Sequence, residues 1–280
     1  MNEVPRCESI CLGTYREQSR FTAMTHAALP AALVPASELA RVSTRAPRWR
    51  PGLAPPHHSE VFAPANEASG AAAALALAID ALRMGRLGAA EQAGDDRPLL
   101  WVQDRAALKL SGRPYRAGLP ASLRHHLIHV ICESSEDALF ALEEGLRCRD
   151  VAAVVGEVVG NPKALDFTAS RRLTLTSEKH GVPLWLVRLD AAHDLSSARM
   201  RWDVRAAPSP QPCWNHEAPG TPTWRADLFR ARMHPPGTWI LNDGGNALAA
   251  AHPADHPDVS ATPYPVGLAF AAGDRQLAAW

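Results

Sequence analysis

The segment from residue 127 to residue 188 constrains the fold most, because strand patterns and helix patterns alternate along it. Three short apolar runs are predicted to be strands: residues 127–132, 151–155 and 184–187. The second has no alternation, which is typical of a strand that is buried on both faces of a sheet. Helices are predicted in the two gaps, one after Ser134 and one over about residues 166–180. Strands that alternate with helices of this length pair in parallel through right-handed crossovers. The segment therefore predicts an α/β fold.

Local signals support both helices. Ser134 and Asp137 have the spacing of a capping box, in which side-chain oxygens bind the free amides at a helix start. Leu142 and Leu146 continue an apolar helix face, and Gly181 supplies the left-handed residue that ends the second helix. Both helix boundaries therefore have a stated cause.

Composition excludes several classes of function. Lys plus Arg and Asp plus Glu both number 29 among the 280 residues, so no global charge indicates nucleic acid or acidic lipid. The five cysteines are an odd number without a CxxC pair, which predicts a reduced, cytoplasmic compartment. The histidines and the cysteine between residues 125 and 132 lack a second cluster to complete a zinc site, so we expect no metal. No apolar run approaches the ~20 residues of a membrane helix, so we expect no membrane contact.

Three regions are predicted along the chain. Residues 1–55 are dense in Pro, Arg, Ser and Thr with little periodicity, which predicts a flexible arm that folding does not need, with Met24 as an alternative start. Residues 56–242 carry the α/β domain. Residues 243–280 are predicted to be a loop-rich tail with a hairpin that turns at Gly273 and Asp274.

The segment from residue 60 to residue 87 has the layout of a phosphate-binding site. A strand at residues 60–62 leads through a loop of small residues into an alanine-rich helix at about residues 71–87. The loop lacks the lysine and the adjacent Ser or Thr that reach phosphates and magnesium, because Gly70 is followed by Ala71 and Ala72. We therefore interpret it as a loop that only packs, and expect no nucleotide cofactor.

Polar residues follow two predicted strands at the carboxyl edge of the sheet, where α/β proteins place their chemistry. Asp104 and Arg105 follow a strand at residues 99–102, and Asp104 is either a metal or base residue or, more commonly, a helix cap. Glu157 follows the strand at residues 151–155, roughly where nucleotide hydrolases keep a magnesium-binding carboxylate. With no lysine in the loop, a structural contact to arginines or backbone amides is the favoured role of Glu157.

The end of the domain is predicted to be antiparallel sheet. Strands are expected at residues 200–206, 223–232 and 238–241, with a turn at residues 235–237. Side chains alternate between apolar and charged from Trp224 to Leu228, and the alternation then blurs at Phe229, which indicates a β-bulge.

Six ordered segments resemble a known family: residues 151–158, residues 165–173, residues 201–204, Pro222 with Trp224, Arg230 with Arg232, and residues 236–239. Together they resemble the core of the ImuA family, which are RecA-like proteins of bacterial SOS mutagenesis cassettes. The resemblance spans about residues 60–241. These proteins are encoded beside ImuB, an inactive relative of Y-family polymerases, and an error-prone replicative-type polymerase.

The resemblance implies a RecA-like, mostly parallel sheet flanked by helices that has lost nucleotide chemistry. In RecA, a lysine-bearing loop, a catalytic glutamate and an aspartate stand where this chain has the Gly70 loop, Arg105 and Gly156. The residues of this degenerate nucleotide site would be Gly70, Ala71, Ala72, Arg105 and Glu157. The resemblance then implies a non-catalytic adaptor in SOS-induced translesion synthesis, with ImuB as partner and RecA, the error-prone polymerase and DNA as further contacts.

Arginine and tryptophan residues are the expected contacts with these partners, because both types dominate interface energetics. The predicted partner-binding residues are Arg171, Arg172, Arg201, Trp202, Trp224, Arg230 and Arg232. For the tryptophans, a place in the core is the alternative. Arg230 and Arg232 are two apart on one strand, so they are either exposed together at a partner surface or buried together in a structural ion pair.

Two other functions remain open at this point. One is an ATPase or DNA-binding protein with a divergent nucleotide site, which would bind ATP tightly with magnesium. The other is a RecA-related inhibitor, similar to the SOS cell-division inhibitor, which binds a filament-forming partner.

Overall fold

The computed structural model describes residues 48–53, 57–87, 96–121, 123–215, 218–245 and 247–253. These residues form one nine-stranded sheet with helices packed against it. The strands are β1 (His58–Ala63), β2 (Leu99–Asp104), β3 (Leu127–Cys132), β4 (Ala153–Val159), β5 (Leu184–Leu189), β6 (Met200–Ala206), β7 (Thr223–Ala231), β8 (Gly237–Asp243) and β9 (Leu248–Ala251). The helices are α1 (Ser69–Leu87), α2 (Arg105–Ser111), α3 (Ser135–Arg147) and α4 (Phe167–His180).

The sheet has the order β3-β2-β4-β5-β1-β6-β7-β8-β9. Strands β1 to β6 pair in parallel, and β7, β8 and β9 extend the sheet by antiparallel pairing. This confirms the predicted α/β fold with a mostly parallel sheet and an antiparallel extension. Among the helices in the described part of the chain, none has the length and apolar character needed to cross a membrane.

Two hydrophobic cores lie on opposite faces of the sheet, because successive strand residues point to opposite sides. On one face, α1 packs on alternate strand residues such as Val155 and Trp185. On the other face, α3 and α4 pack on the intervening residues, such as Val154 and Leu186. The central parallel strands are therefore covered on both sides, which explains their continuous apolar sequence, whereas the edge strand β3 is more open, with Ile128 46% exposed.

The predicted helix ends are confirmed. Side chains of Asp104, Ser134 and Asp166 each accept a hydrogen bond from a backbone amide three residues on, which caps α2, α3 and α4. Gly181 has φ 72° and ends α4 in the left-handed conformation that glycine tolerates best.

Strand β4 differs from the prediction for residues 151–155, because it begins at Ala153 and continues to Val159. The non-apolar pair Gly156 and Glu157 lies inside the strand rather than after it. A Cβ at Gly156 would lie 2.8 Å from a methyl group of Leu142, so α3 approaches the strand closely at this residue. Glycine here serves the contact between α3 and the sheet, which the sequence pattern did not reveal.

The structure also corrects the two ends of the domain. Trp49 belongs to the predicted arm but is buried, with its ring centroid 4.7 Å from that of Trp202. Gly52 donates a backbone hydrogen bond of 2.7 Å to Asp80 of α1. Residues 248–251, predicted to be loop, form β9. Residues 1–47 and 254–280, with Met24 and the predicted hairpin turn, lie outside the described residues.

Candidate functional site

The loop between β1 and α1, residues 64–68, is the one whose sequence layout resembles a phosphate-binding site. The backbone amide of Ala65 donates to Oδ1 of Asp190 over 2.9 Å. Oε2 of Glu67 accepts hydrogen bonds from the Ser69 hydroxyl (2.9 Å) and from the Ala206 amide (2.8 Å). Two carboxylates of the protein, those of Asp190 and Glu67, therefore accept hydrogen bonds in and around this loop.

Gly70, Ala71 and Ala72 follow this loop in the first turn of α1. A Cβ at Gly70 would lie 2.6 Å from Cβ of Ala63, so the helix start touches β1 closely. Ala71 and Ala72 are half-buried and pack on the core beneath α1. These three residues serve the packing of α1 on the sheet.

The neighbouring loops of the carboxyl edge are tied to each other through Asn161. Its side-chain amide donates to the carbonyl of Ala192 (3.0 Å) and to Asp194 (2.7 Å), and its carbonyl accepts from the amide of Ala192 (2.8 Å). The loop after β4 is therefore fixed to the loop after β5. Within the described ranges, no group of three or more His, Cys, Asp or Glu side chains could hold a metal ion.

Glu157 is 2% exposed and both of its oxygens have donors. Trp101 Nε1 donates to Oε1 and the Ser111 hydroxyl donates to Oε2, each over 2.7 Å. Burial raises the pKa of Glu157, although hydrogen bonds from Ser111, Trp101 and Gln103 act in the opposite direction. Glu157 is thus a structural contact between β4, β2 and α2, with an indole and a hydroxyl in place of the arginines or backbone amides expected.

Arg105 lies at the start of α2 and is directed away from this network. Its guanidinium forms an exposed ion pair with Glu133, the residue that follows β3. Asp104 accepts from the Ala107 amide over 2.7 Å, which makes it the predicted helix cap.

Arg201 is buried, which corrects its prediction as a partner contact. It is 3% exposed, and its Nε lies 2.6 Å from Oε2 of Glu60, which is fully buried. Arg188, 1% exposed, lies 3.7 Å from Oε1 of the same glutamate, and the Ser196 hydroxyl donates to that oxygen over 2.7 Å. One carboxylate therefore holds two buried guanidinium groups.

Asp194 and two aromatic rings complete this buried ion cluster. Burial alone would raise the pKa of Asp194, but hydrogen bonds from Arg188 and Asn161 lower it below its usual value. The guanidinium of Arg201 lies 5.0 Å from the ring centroid of Phe62 and 5.3 Å from that of Phe229. Arg201 is thus surrounded by groups that suit a buried cation.

Trp202 and Trp224 are 1% and 4% exposed, so the core alternative holds for both. Trp202 packs edge to face with Trp49 and Trp239 beside α1. These two tryptophans are therefore unable to reach a partner in the folded protein.

Arg171, Arg230 and Arg232 are exposed and line one open groove of about 490 Å³. The groove lies between α4 and the residues at the start of β6 and the end of β7, and Phe167, Leu175 and Arg199 also line it. We call it the arginine groove. Arg171 is thereby brought together with Arg230 and Arg232, which are distant from it in sequence.

The charges of the arginine groove are mostly uncompensated. Arg199 binds Glu178 through Nε over 2.7 Å. Within the described part of the chain, the side chains of Arg171, Arg230 and Arg232 make no hydrogen bond or ion pair. Arg172 differs from them, because its Nε lies 2.6 Å from Oε2 of Glu143 on α3, away from the groove.

No family model matches this chain. The chain is 34% identical over 191 residues to Protein ImuA of Caulobacter vibrioides strain NA1000 / CB15N, a match that covers 65% of this chain and 69% of that protein. Protein ImuA of the strain ATCC 19089 / CIP 103742 / CB 15 matches to the same extent. The chain belongs to the ImuA family. Membership in the ImuA family supports a role in the ImuA/ImuB mutagenesis cassette.

Sequence reasoning missed several residues that matter in this ImuA-family chain. Phe167 and Leu175 are about half exposed beside the groove, and their spacing of four residues from Arg171 was the available signal. Glu60 carried a weaker signal, as an acid inside a short apolar strand. Trp49 carried none, because it lies in a segment without periodicity.

Proposed function

We propose that this ImuA-family protein is a non-catalytic accessory protein of SOS-induced translesion DNA synthesis. It acts by binding other proteins, with ImuB as the first partner. The observation that carries the non-catalytic part of the proposal is the hydrogen bond from the Ala65 amide to Asp190, in the loop whose sequence layout resembles a phosphate-binding site.

Electrostatics supports the absence of nucleotide chemistry. A phosphate-binding loop offers free amides and a cation to an anion. Here the loop has no lysine, one amide is bonded to Asp190, and Glu67 adds a second negative charge beside the helix start. A triphosphate at this position would meet two carboxylates, so its binding is disfavoured.

The surroundings of Glu157 support the same conclusion. A catalytic base needs access to water, and a magnesium ligand needs a free oxygen lone pair directed at the ion. Glu157 is buried and bound by Trp101 and Ser111, so its function is to hold α2 against the sheet.

Exposed arginines support a role in protein contact. Arginine is enriched among the residues that contribute most binding energy at interfaces. Arg171, Arg230 and Arg232 present guanidinium groups without an internal partner in the described residues, beside two exposed apolar side chains. RecA and the error-prone polymerase are further candidate partners, and direct contact with DNA is a separate candidate.

The test uses the purified full chain with ATP and magnesium, and RecA as an active control. We expect phosphate release at background for the wild type and for Glu157→Gln alike. In cells, deletion of the gene should abolish damage-induced mutation, and Glu157→Gln should restore it as well as wild type does. Phosphate release that Glu157→Gln abolishes would show an ATPase and reject the proposal.

A further inference from the structure

We propose that the arginine groove binds an acidic peptide segment that carries apolar side chains, so that carboxylates meet the guanidinium groups and apolar side chains meet Phe167 and Leu175. This inference rests on the proposed function, because an accessory protein needs a site for its partner. It adds to the proposed function the site at which the partner binds and the chemical groups that the partner contributes.

One wall of the groove is a single stripe of helix α4. Phe167, Arg171 and Leu175 are spaced by four residues, so their side chains lie on the same side of the helix. Phe167 is 48% exposed and Leu175 is 51% exposed. A cation thus lies between two apolar side chains that are not covered by the described chain, and such a mixed patch is typical of a binding surface.

The opposite wall carries Arg230 and Arg232 at the end of β7. The β-bulge in the pairing of β6 with β7 lies at this point, where Arg201 pairs with Arg230 and Trp202 pairs with Leu228. The extra residue, Phe229, turns towards buried Arg201, and Arg230 faces solvent. Of the two paired arginines, Arg201 therefore lies in the interior, and Arg230 lies at the surface, where a partner can reach it.

Carboxylates are the complementary groups for this surface. A guanidinium group binds a carboxylate through two parallel hydrogen bonds, and three such groups without an internal acid favour an acidic segment. Arg199 contributes less, because Glu178 already binds it.

A peptide fits these observations better than a nucleic acid does. Nucleic-acid binding usually neutralises many phosphates through an extended basic surface. This chain has equal numbers of basic and acidic residues, the groove holds three uncompensated arginines, and Phe167 is the one aromatic ring among the described residues that line the groove on which a base could stack. Two apolar side chains that flank cations instead match the recognition of a short acidic segment with apolar anchors.

The experiment measures fluorescence anisotropy of a labelled peptide rich in Glu and Asp with two leucines one helical turn apart, titrated with the full chain. Controls are the same peptide with serines for the leucines, a lysine-rich peptide and an oligothymidylate. We expect the acidic leucine peptide to bind most tightly, and salt to weaken its binding. Arg230→Glu with Arg232→Glu should weaken it by about tenfold or more.

Matched variants separate the groove from general charge and hydrophobicity. Arg225→Glu reverses one charge, half of the change in the double variant, on the same strand as Arg230 at an exposed residue outside the groove, and should leave binding unchanged. Leu175→Ser should weaken binding, whereas Leu110→Ser should not, although both leucines are 51% exposed.

Three results would overturn the inference. They are the absence of binding by any acidic peptide, tighter binding of the oligothymidylate through the same arginines, and equal loss of binding in the groove variants and their controls. If the peptide fails to bind while the gene is still needed for damage-induced mutation, only the groove assignment fails. If the purified chain hydrolyses ATP, the proposed function fails independently of the groove.

Discussion

Arg201 and Arg230 are directly paired across β6 and β7, yet they occupy opposite environments. Arg201 is 3% exposed and bound to Glu60, whereas Arg230 is exposed in the arginine groove. The two residues are of the same type and lie on neighbouring strands. Two features account for the difference. The bulge at Phe229 shifts the alternation of side chains along β7, and Glu60 supplies a buried counter-charge for Arg201.

The comparison teaches that burial decides what an arginine in this protein can do. A buried guanidinium that loses its carboxylate destabilises the fold strongly, because an unpaired charge in the interior is unfavourable. An exposed guanidinium contributes little to stability and remains available to a partner. The buried ion cluster and the arginine groove should therefore respond in opposite ways to mutation.

The largest effect is expected for Glu60→Ala. This change removes the fully buried carboxylate between Arg188 and Arg201 and leaves them with the partly exposed Asp194, so the free energy of unfolding should fall by about 3–5 kcal/mol. Urea unfolding measures it. Glu178→Ala is the control, because Glu178 pairs with the half-buried Arg199 and should change stability by less than about 1 kcal/mol. Equal losses in both variants would contradict the distinction between buried and accessible arginines.

Trp49→Ala is expected to have the next largest effect, about 3 kcal/mol, because it leaves a cavity beside Trp202 and Trp239. A chain that starts at Pro56 should lose similar stability, in contrast to the expectation that residues 1–55 are dispensable. Trp214→Ala is the matched control, since that side chain is 77% exposed. If Trp49→Ala has the same free energy of unfolding as the Trp214→Ala control, residues 48–53 do not belong to the core.

The buried His58 of β1 should make the stability of the protein depend on pH, by up to about 3 kcal/mol. Burial, more than the neighbouring arginines, lowers the pKa of His58 to about 4. Between pH 6.5 and about 4 the unfolded chain takes up a proton that the folded protein does not, so stability should fall as the pH falls.

His58→Gln removes this titration and can keep a hydrogen bond to Thr174. The difference in unfolding free energy between wild type and variant should therefore change across that pH range. Glu157 acts in the opposite direction, because its raised pKa favours the folded protein as the pH falls, and this contribution cancels in the difference. Identical pH dependence of the two proteins would show that His58 is not buried as a neutral ring.

The central fold was predictable because local signals agreed with one another. Asp166 and Gly181 fix the two ends of α4, and the apolar runs on either side leave no choice except buried parallel strands. Arg171 was also predictable as a member of a polar helix face, whereas the sequence left both exposure and burial open for Arg230, and the bulge at Phe229 decides between them.

The rest depends on contacts between residues that are distant in sequence. Arg201 differs from Arg230 through Glu60, which lies 141 residues away. Strand β9 is made largely of alanine, so pairing with β8 decides its structure rather than any strand propensity. Glu157 interrupts an apolar run, and only the donors from Trp101 and Ser111 explain why the strand continues through it.

The most direct test measures stability and ImuB binding together in Arg230→Glu with Arg232→Glu. Because both side chains are exposed, the free energy of unfolding should change by less than about 1 kcal/mol, the smallest effect on stability in this series. Binding of ImuB, measured by calorimetry with the purified proteins, should be lost, whereas Arg225→Glu should bind as wild type does. A folded double variant that binds ImuB with unchanged affinity would contradict the role of the arginine groove as the partner surface.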